Sequence, residues 1–177
     1  NLIHKFMNIK KIAYIILNFS INRIIEFLGL FTLTLGILLF ISLISFSPDD
    51  PNFIFPKNTE IKNILGFQGS FTADLFYQSI GLISLLVPFT LFFSGINIFR
   101  EKKLYLLIPN LFYSILYIFF DFIFFSNYFL NSYELYINGN GGFVGSYLNQ
   151  TFFESIISFN SNISFYTLIL SIIILFL

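Results

Sequence analysis

The 177-residue sequence contains no cysteine and a single histidine, His4. The lack of cysteine excludes disulfide bonds, thiolate catalysis and cysteine-based zinc sites, and one histidine cannot supply a pair of histidine ligands. Charged residues make up only 10% of the chain, against about 25% in a soluble domain. The net charge is zero, so nothing indicates a nucleic-acid surface. We therefore predict no catalytic residue, no metal site, no cofactor site and no bound nucleic acid.

What the sequence has in abundance is apolar residues. They make up 56% of the chain, with 28 phenylalanines and a mean hydropathy of +0.84. Such a chain lacks the polar residues to cover a soluble core, and a disordered chain would be poor in aromatic residues. Two arginines against seven lysines suggest an AT-rich genome, which explains the phenylalanines without an aromatic-binding site. The composition predicts an integral membrane protein.

Four apolar stretches predict transmembrane helices, because about 20 residues are needed to cross about 30 Å of hydrocarbon. They cover residues 27–46, 75–99, 104–125 and 163–177. The fourth stretch is too short for a full span at Leu177, so we expect the natural chain to continue, and Met7 is a possible true start. We predict an all-α integral membrane fold with four helices in a domain over residues 24–177. Residues 1–23 form a basic cytoplasmic lead-in, either an interfacial helix or merely a charged segment.

The distribution of cations predicts the orientation. Two basic residues, Lys57 and Lys62, fall between the first and second predicted helices. The other seven of the nine flank the opposite side of the membrane: Lys5, Lys10, Lys11, Arg23, Arg100, Lys102 and Lys103. By the positive-inside rule, both ends of the chain are cytoplasmic and the two long loops are outside.

The first outer loop opens with two prolines and two carboxylates: Pro48, Asp49, Asp50 and Pro51. Proline cannot continue a helix and the carboxylates belong in water, so the pattern predicts a sharp exit from the membrane. A partner-contacting surface is the alternative interpretation. A cation site is disfavoured, because no third ligand is evident.

The same loop ends at residues 63–75 with two glycines that permit a turn. We expect a positive φ at Gly69, a helix N-cap at Ser70, and Asp74 in the opening turns, where it complements the helix dipole.

The run Gly139–Gly142 predicts a turn that leads into a possible interfacial helix over residues 143–157. Asp121 lies within the third predicted helix, where snorkelling or a hydrogen bond to another helix is the main interpretation and a proton relay the other.

Three motifs carry a resemblance to a known family. They are Ser-Phe-x-Pro-x-Asp-Pro at residues 45–51, Asn-x-x-Gly-x-x-Gly-Ser-x-x-Ala-Asp-Leu-Phe at residues 63–76, and Gly-Gly-x-x-Gly-x-x-Leu at residues 141–148. In this order and spacing, the chain resembles the N-terminal membrane domain of the FtsK/SpoIIIE family of bacterial DNA translocases. The resemblance and the turns nominate structural or partner-contact residues: Pro48, Asp49, Asp50, Pro51, Gly66, Gly69, Ala73, Asp74, Gly141, Gly142 and Gly145.

The resemblance implies an anchor in the bacterial inner membrane for a cytoplasmic DNA-pumping ATPase at the division septum. It implies division proteins, lipid and further copies of the chain as partners. The family's motor lies downstream, and no Gly-x-x-x-x-Gly-Lys-Ser/Thr motif occurs in this chain. The sequence also departs from the alanine- and glycine-rich helices of the family, which puts the carry-over of close helix packing in doubt.

Two rival functions come from other classes. A small transporter or channel subunit would use Asp121 as a functional intramembrane acid. The lack of an inverted repeat and of a second intramembrane charge counts against it. A lipid-modifying enzyme would need a nucleophile and a base, and no such combination is evident.

Overall fold

A computed structural model describes residues 2–51, 60–128, 140–148, 150–151 and 162–176, and every regular element in these ranges is helical. The all-α prediction is therefore confirmed for the described part. The α-helices in chain order are α1 (Leu2–Ile44), α2 (Gly66–Ile80), α3 (Val87–Glu101), α4 (Leu107–Tyr128), α5 (Gly142–Leu148) and α6 (Ile163–Phe176). Short 3₁₀ segments at Gly81–Leu86 and Leu104–Leu106 precede α3 and α4.

Two stretches in the described part are long and apolar enough to cross a bilayer, Lys10–Ile44 and Gly66–Glu101. The apolar helices Leu104–Phe120 and Phe165–Ile174 are shorter. The structure thus shows two clear spans, and the count of four spans stays a prediction.

The prediction of one continuous helix over residues 75–99 is wrong. The chain breaks at Gly81, whose φ of +66° ends α2, and continues as a 3₁₀ turn into α3. Pro88 lies in the first turn of α3, where a backbone N–H would have no intrahelical acceptor, so the helix loses no hydrogen bond to the proline. The 3₁₀ segment and α3 together rise about 34 Å, which matches the hydrocarbon thickness without α2.

Helix α2 packs against the C-terminal end of α1. Its residues Gly69, Ala73 and Tyr77 follow each other at intervals of four, so they share one face. Ala73 and Tyr77 pack with Leu39 and Leu43 in the last turns of α1. The whole of α2 therefore meets one short part of α1, as an element lying across the bundle.

Helices α1 and α3 form the most extensive packing in the described structure, and they run antiparallel. A Cβ added to Gly29 would lie 2.7 Å from the backbone nitrogen of Phe99, and one added to Gly36 would lie 2.9 Å from the carbonyl oxygen of Pro88. The backbones therefore approach too closely for any side chain at these positions. The close helix packing that the sequence put in doubt is present in this pair.

The remaining helices pack mainly against one another. Helix α4 packs mainly against α6, and α5 contacts both α2 and α4. A side-chain hydrogen bond of 2.8 Å joins Asn110 of α4 to Ser94 of α3. Polar bonds of this kind hold apolar helices together where the lipid supplies no hydrophobic drive.

Replacing Gly95 with alanine should destabilise the domain. The new Cβ would lie 2.5 Å from the backbone nitrogen of Leu33 and 2.8 Å from the carbonyl oxygen of Gly29, and overpacking of this kind costs about 1–3 kcal/mol. We expect a lower thermal unfolding temperature for the detergent-solubilised variant. Asn97→Ala changes an exposed residue of the same helix and serves as the matched control. Equal unfolding temperatures for the two variants would contradict the close approach.

Candidate functional site at the outer end of the helices

The loop between α1 and α2 closes on a buried carboxylate. Asp50 is only 3% exposed, and its two oxygens accept hydrogen bonds from the backbone N–H groups of Lys62 (2.8 Å) and Asn63 (2.9 Å). One side chain therefore ties the start of the loop to its end. The expectation that both Asp49 and Asp50 are water-exposed is wrong for Asp50, because the loop folds back over it.

Asn63 joins the end of α1 to the start of α2. Its side-chain amide donates to the carbonyl oxygen of Ser42 (2.9 Å) and, at 3.3 Å, to that of Ser45. Its side-chain oxygen accepts from the backbone N–H of Leu65 at 3.1 Å. These bonds use α1 carbonyl groups that the helix leaves without an intrahelical partner at its end. We call Ser42, Ser45, Asp50, Asn63 and Gly69 the outer junction; outer and inner name the two sides of the membrane as the distribution of cations predicts them.

Gly69 belongs to the junction because the side chain of Asn63 leaves no room for a Cβ at this position. Its φ is not positive, so the expected reason for glycine there is wrong. A Cβ at Gly69 would lie 2.1 Å from the side-chain oxygen of Asn63, and the carbonyl oxygen of Gly69 accepts a 2.6 Å bond from the hydroxyl of Ser42. The positive φ of this turn, +66°, falls on Gly66 instead.

Two further expectations for this region are also wrong. Ser70 is not an N-cap, because α2 begins at Gly66; it is buried in the helix and donates to the carbonyl oxygen of Pro51 at 3.2 Å. Asp74 lies in the third turn of α2 and is buried, too far from the helix start to complement the dipole. Ala73 is fully buried in the α1–α2 contact.

The junction supports an exposed surface. The Asp49 side chain is 72% exposed and pairs with the ammonium of Lys62 at 3.1 Å, and Pro48 beside it is also exposed. Ile64 is 72% exposed and Phe67 is 50% exposed, on the residues that immediately follow the buried Asn63. We call Asp49, Lys62, Ile64 and Phe67 the outer surface. Apolar and charged groups held on a tightly bonded loop are typical of a recognition surface.

A second junction lies at the other end of α2. Gly81 and Gly142 both have positive φ, and each would clash with the other's backbone if it carried a Cβ. The backbone N–H of Leu82 donates to the carbonyl oxygen of Asn140 at 2.9 Å. The expected turn at Asn140–Gly142 is present and leads into α5, in which Gly145 is buried. Gly141 has room for a side chain, since its Cβ would meet only an ordinary contact at 3.4 Å.

Charged residues mark the opposite end of α1 and α3. The carboxylate of Glu26 pairs with Arg23 one turn earlier and with the ammonium of Lys102 at 2.8 Å. Lys102 ends α3 in a left-handed conformation, which directs it toward α1. We call these three residues the inner clamp.

The described residues offer little for catalysis or metal binding. Among them no group of three or more His, Cys, Asp or Glu side chains could hold a metal ion. The backbone of Asp121 lies in α4, but its side chain lies outside the described residues. Part of the predicted helix over residues 143–157 is present as α5, while residue 149 and residues 152–161 lie outside the described residues, and its interfacial position stays a prediction.

Sequence reasoning placed some of these residues and missed others. The structure brings Asp50, Pro51, Gly69 and Ala73 together around α2, with Gly142 at the far end of the same helix. Sequence reasoning missed Ser42, whose hydroxyl donates to the carbonyl oxygen of Gly69. It also missed Tyr77, whose hydroxyl donates to the carbonyl oxygen of Leu43 in α1 at 3.2 Å. The seven-residue interval between Gly29 and Gly36 was the available signal for the close approach of α3.

Comparison with known proteins gives consistent matches. The family described as the 4TM region of DNA translocase FtsK/SpoIIIE matches residues 22–177. A protein of Rickettsia bellii named DNA translocase FtsK is 28% identical over 100 residues, which are 56% of this chain and 11% of that protein. Proteins of the same name from Rickettsia typhi and Rickettsia prowazekii are 32% and 33% identical over 68 and 63 residues, covering 38% and 36% of this chain and 9% and 8% of theirs. The matches thus span about a tenth of these relatives, and no solved structure matches this chain.

Replacing Asp50 with alanine should destabilise the domain far more than replacing its neighbour Asp49. Asp50→Ala leaves two backbone N–H groups without their acceptor, at a cost of about 1–3 kcal/mol each, whereas an exposed ion pair contributes about 0–1 kcal/mol. Thermal unfolding of both variants in the same detergent measures the difference. Equal losses for the two variants would contradict the assignment of Asp50 to a structural role.

Proposed function

This chain belongs to the family of 4TM regions of DNA translocase FtsK/SpoIIIE, and from that premise we propose that it anchors a translocase motor in the bacterial inner membrane and places it at the division septum. The family match carries the proposal, since it covers all but the first 21 residues. The relatives are about ten times longer than the stretches that match. The ATP-dependent motor therefore belongs, in this proposal, to a part of the protein beyond the matched region.

The distribution of charge supports a cytoplasmic motor. Lys102 and Arg23 of the inner clamp, with Arg100 and Lys103 beside them, form a basic end of the α1–α3 pair. The opposite end carries the outer junction, where the exposed cation Lys62 is already paired with Asp49. The positive-inside rule then places the clamp in the cytoplasm and the junction outside. A chain that leaves the membrane after α6 would return to the cytoplasm.

Septal placement needs a recognition surface, and the outer surface has the properties for it. Ile64 is more exposed than any other isoleucine in the described part of the chain, although the backbone around it is fixed by Asn63 and Asp50. Because ordering this loop on binding would cost little, its side chains could contribute most of their contact energy to a partner. The proposed partners are other division proteins, and further copies of the chain assemble beside it as a homo-oligomer.

A fluorescent fusion of this chain alone should gather at the division site. Ile64→Ser should weaken that gathering, because it removes the most exposed apolar side chain of the outer surface. Ile108→Ser is the matched control: Ile108 is 70% exposed at the start of α4, on the proposed inner side. Fluorescence microscopy of dividing cells, with membrane fractionation of each variant, measures both effects.

Three results would count against this proposal. An even distribution of the unmutated fusion around the envelope would overturn septal placement and favour the transporter alternative, whose activity should depend on Asp121. Unchanged gathering of Ile64→Ser would leave septal placement standing but overturn the role of the outer surface. Loss of gathering in Ile108→Ser alone would transfer that role to the inner side.

A further inference from the structure

Helix α1 is longer than the membrane it crosses. Glu26, in the inner clamp, and Ile44, at the outer junction, are about 18 residues apart, and this distance of roughly 27 Å matches the hydrocarbon layer of about 30 Å. The helix nevertheless begins at Leu2. About 24 residues, or roughly 36 Å of helix, therefore extend beyond the inner clamp.

Tilting cannot bring this extension into the span. The apolar stretch Lys10–Ile44 has 35 residues and is about 52 Å long, so a layer of about 30 Å would require a tilt of about 55°. Transmembrane helices tilt by about 0–40°. Such a tilt would also carry the ion pairs of Glu26 into the hydrocarbon, where charges are costly.

The extension carries apolar side chains that nothing in the described structure covers. From Lys10 to Ile24 each side chain is exposed apart from the half-buried Asn22. The large exposed apolar residues here are Ile12, Tyr14, Ile15, Ile16, Leu17, Phe19, Ile21 and Ile24. So many uncovered apolar groups on one helix favour an apolar environment around part of it.

Its two faces differ in polarity. Lys11, Asn18 and Asn22 recur at intervals of seven and four residues, so they lie on one face. The opposite side carries Ile16, Ser20, Ala13 and Ile24, with Arg23 about 60° from Ser20. Ile15 lies about 40° from Lys11, so the polar stripe is narrow. A helix with a polar stripe and a broad apolar side suits a boundary between water and hydrocarbon.

The positive charge of the extension favours binding to an anionic lipid surface. Residues 1–25 contain no aspartate or glutamate but carry Lys5, Lys10, Lys11 and Arg23. Arg23 is engaged, lying 5.0 Å above the ring of Phe19 and paired with Glu26. The lysines leave a net positive charge next to the membrane, which attracts anionic lipid headgroups.

We propose that residues 10–24, which continue α1 without a break in this structure, bend away from its spanning part at the membrane and bind the anionic surface of the inner leaflet, with the Lys11–Asn18–Asn22 face toward water. The occupant of the apolar face is lipid rather than protein, because the cations match anionic headgroups and the segment continues directly from a membrane span. This inference rests on the orientation proposed above, which places the N-terminal end of α1 inside the cell.

Two single-cysteine variants of the full chain test the proposal, since no native cysteine interferes. Asn18→Cys and Ser20→Cys lie two residues apart, at nearly the same distance from the inner clamp but on opposite faces. Each is labelled with an environment-sensitive fluorophore and reconstituted into vesicles of phosphatidylcholine with phosphatidylglycerol. We expect lipid-borne quenchers to reach the probe at residue 20 and water-soluble quenchers to reach the probe at residue 18.

The lysines should control the contact. Vesicles of phosphatidylcholine alone, or the double variant Lys10→Gln/Lys11→Gln in mixed vesicles, should show several-fold less lipid quenching at residue 20. Equal access of the water-soluble quencher to both probes would overturn the proposal, since the helix would then project into water. Equal protection of both probes, or protection that falls on dilution with lipid, would overturn it in favour of a covering protein chain.

The vesicle test is independent of the orientation in cells, because both leaflets contain the anionic lipid. A negative result there would leave the septal fusion experiment unaffected. Conversely, an evenly distributed fusion would not alter the quenching at residue 20. The two proposals can therefore fail separately.

Discussion

The side chain of Asn63, inserted between the end of α1 and the first turn of α2, is the interaction on which the outer half of this domain depends. Its amide occupies carbonyl groups that α1 leaves free, and its oxygen lies where any side chain on residue 69 would have to be. The carboxylate of Asp50 fixes the backbone of the same asparagine by accepting a hydrogen bond from its N–H. Helix α2 can cross α1 here because these polar groups are satisfied without water, which suits the edge of a membrane.

The inner end of the bundle is fixed by charge rather than by buried hydrogen bonds. Glu26 forms ion pairs with Arg23 of its own helix and with Lys102 at the end of α3, so the clamp joins the two helices at this end. Between the clamp and the outer junction, glycines let α1 and α3 approach at the level of the backbone. The domain thus combines a closely packed two-helix core with buried hydrogen bonds at the outer junction and ion pairs at the inner clamp. This arrangement is suited to holding other parts of a protein in position.

Local patterns in the sequence predicted the helices but not their contacts. The uncharged run at residues 27–46 predicted the spanning part of α1, because length and hydropathy are local properties. Asp49 and Asp50 are identical neighbours, yet one is exposed and the other buried, because residues 62 and 63 return to cover only the second. Likewise, nothing local distinguishes a glycine that needs space from one that needs a positive φ. The break at Gly81 depends on Asn140 and Gly142, about 60 residues away, which no window of sequence contains.

The central claim is that the outer junction and the inner clamp lie on opposite sides of the bacterial inner membrane, with the clamp in the cytoplasm. Single cysteines at two exposed positions, Glu60→Cys beside the junction and Lys103→Cys beside the clamp, test it directly in a chain without native cysteine. In intact cells with a permeabilised outer envelope, an impermeant thiol reagent should label residue 60, and it should label residue 103 only after the inner membrane is opened. Labelling of residue 103 but not residue 60 in unopened cells would reverse the orientation and contradict an anchor for a cytoplasmic motor.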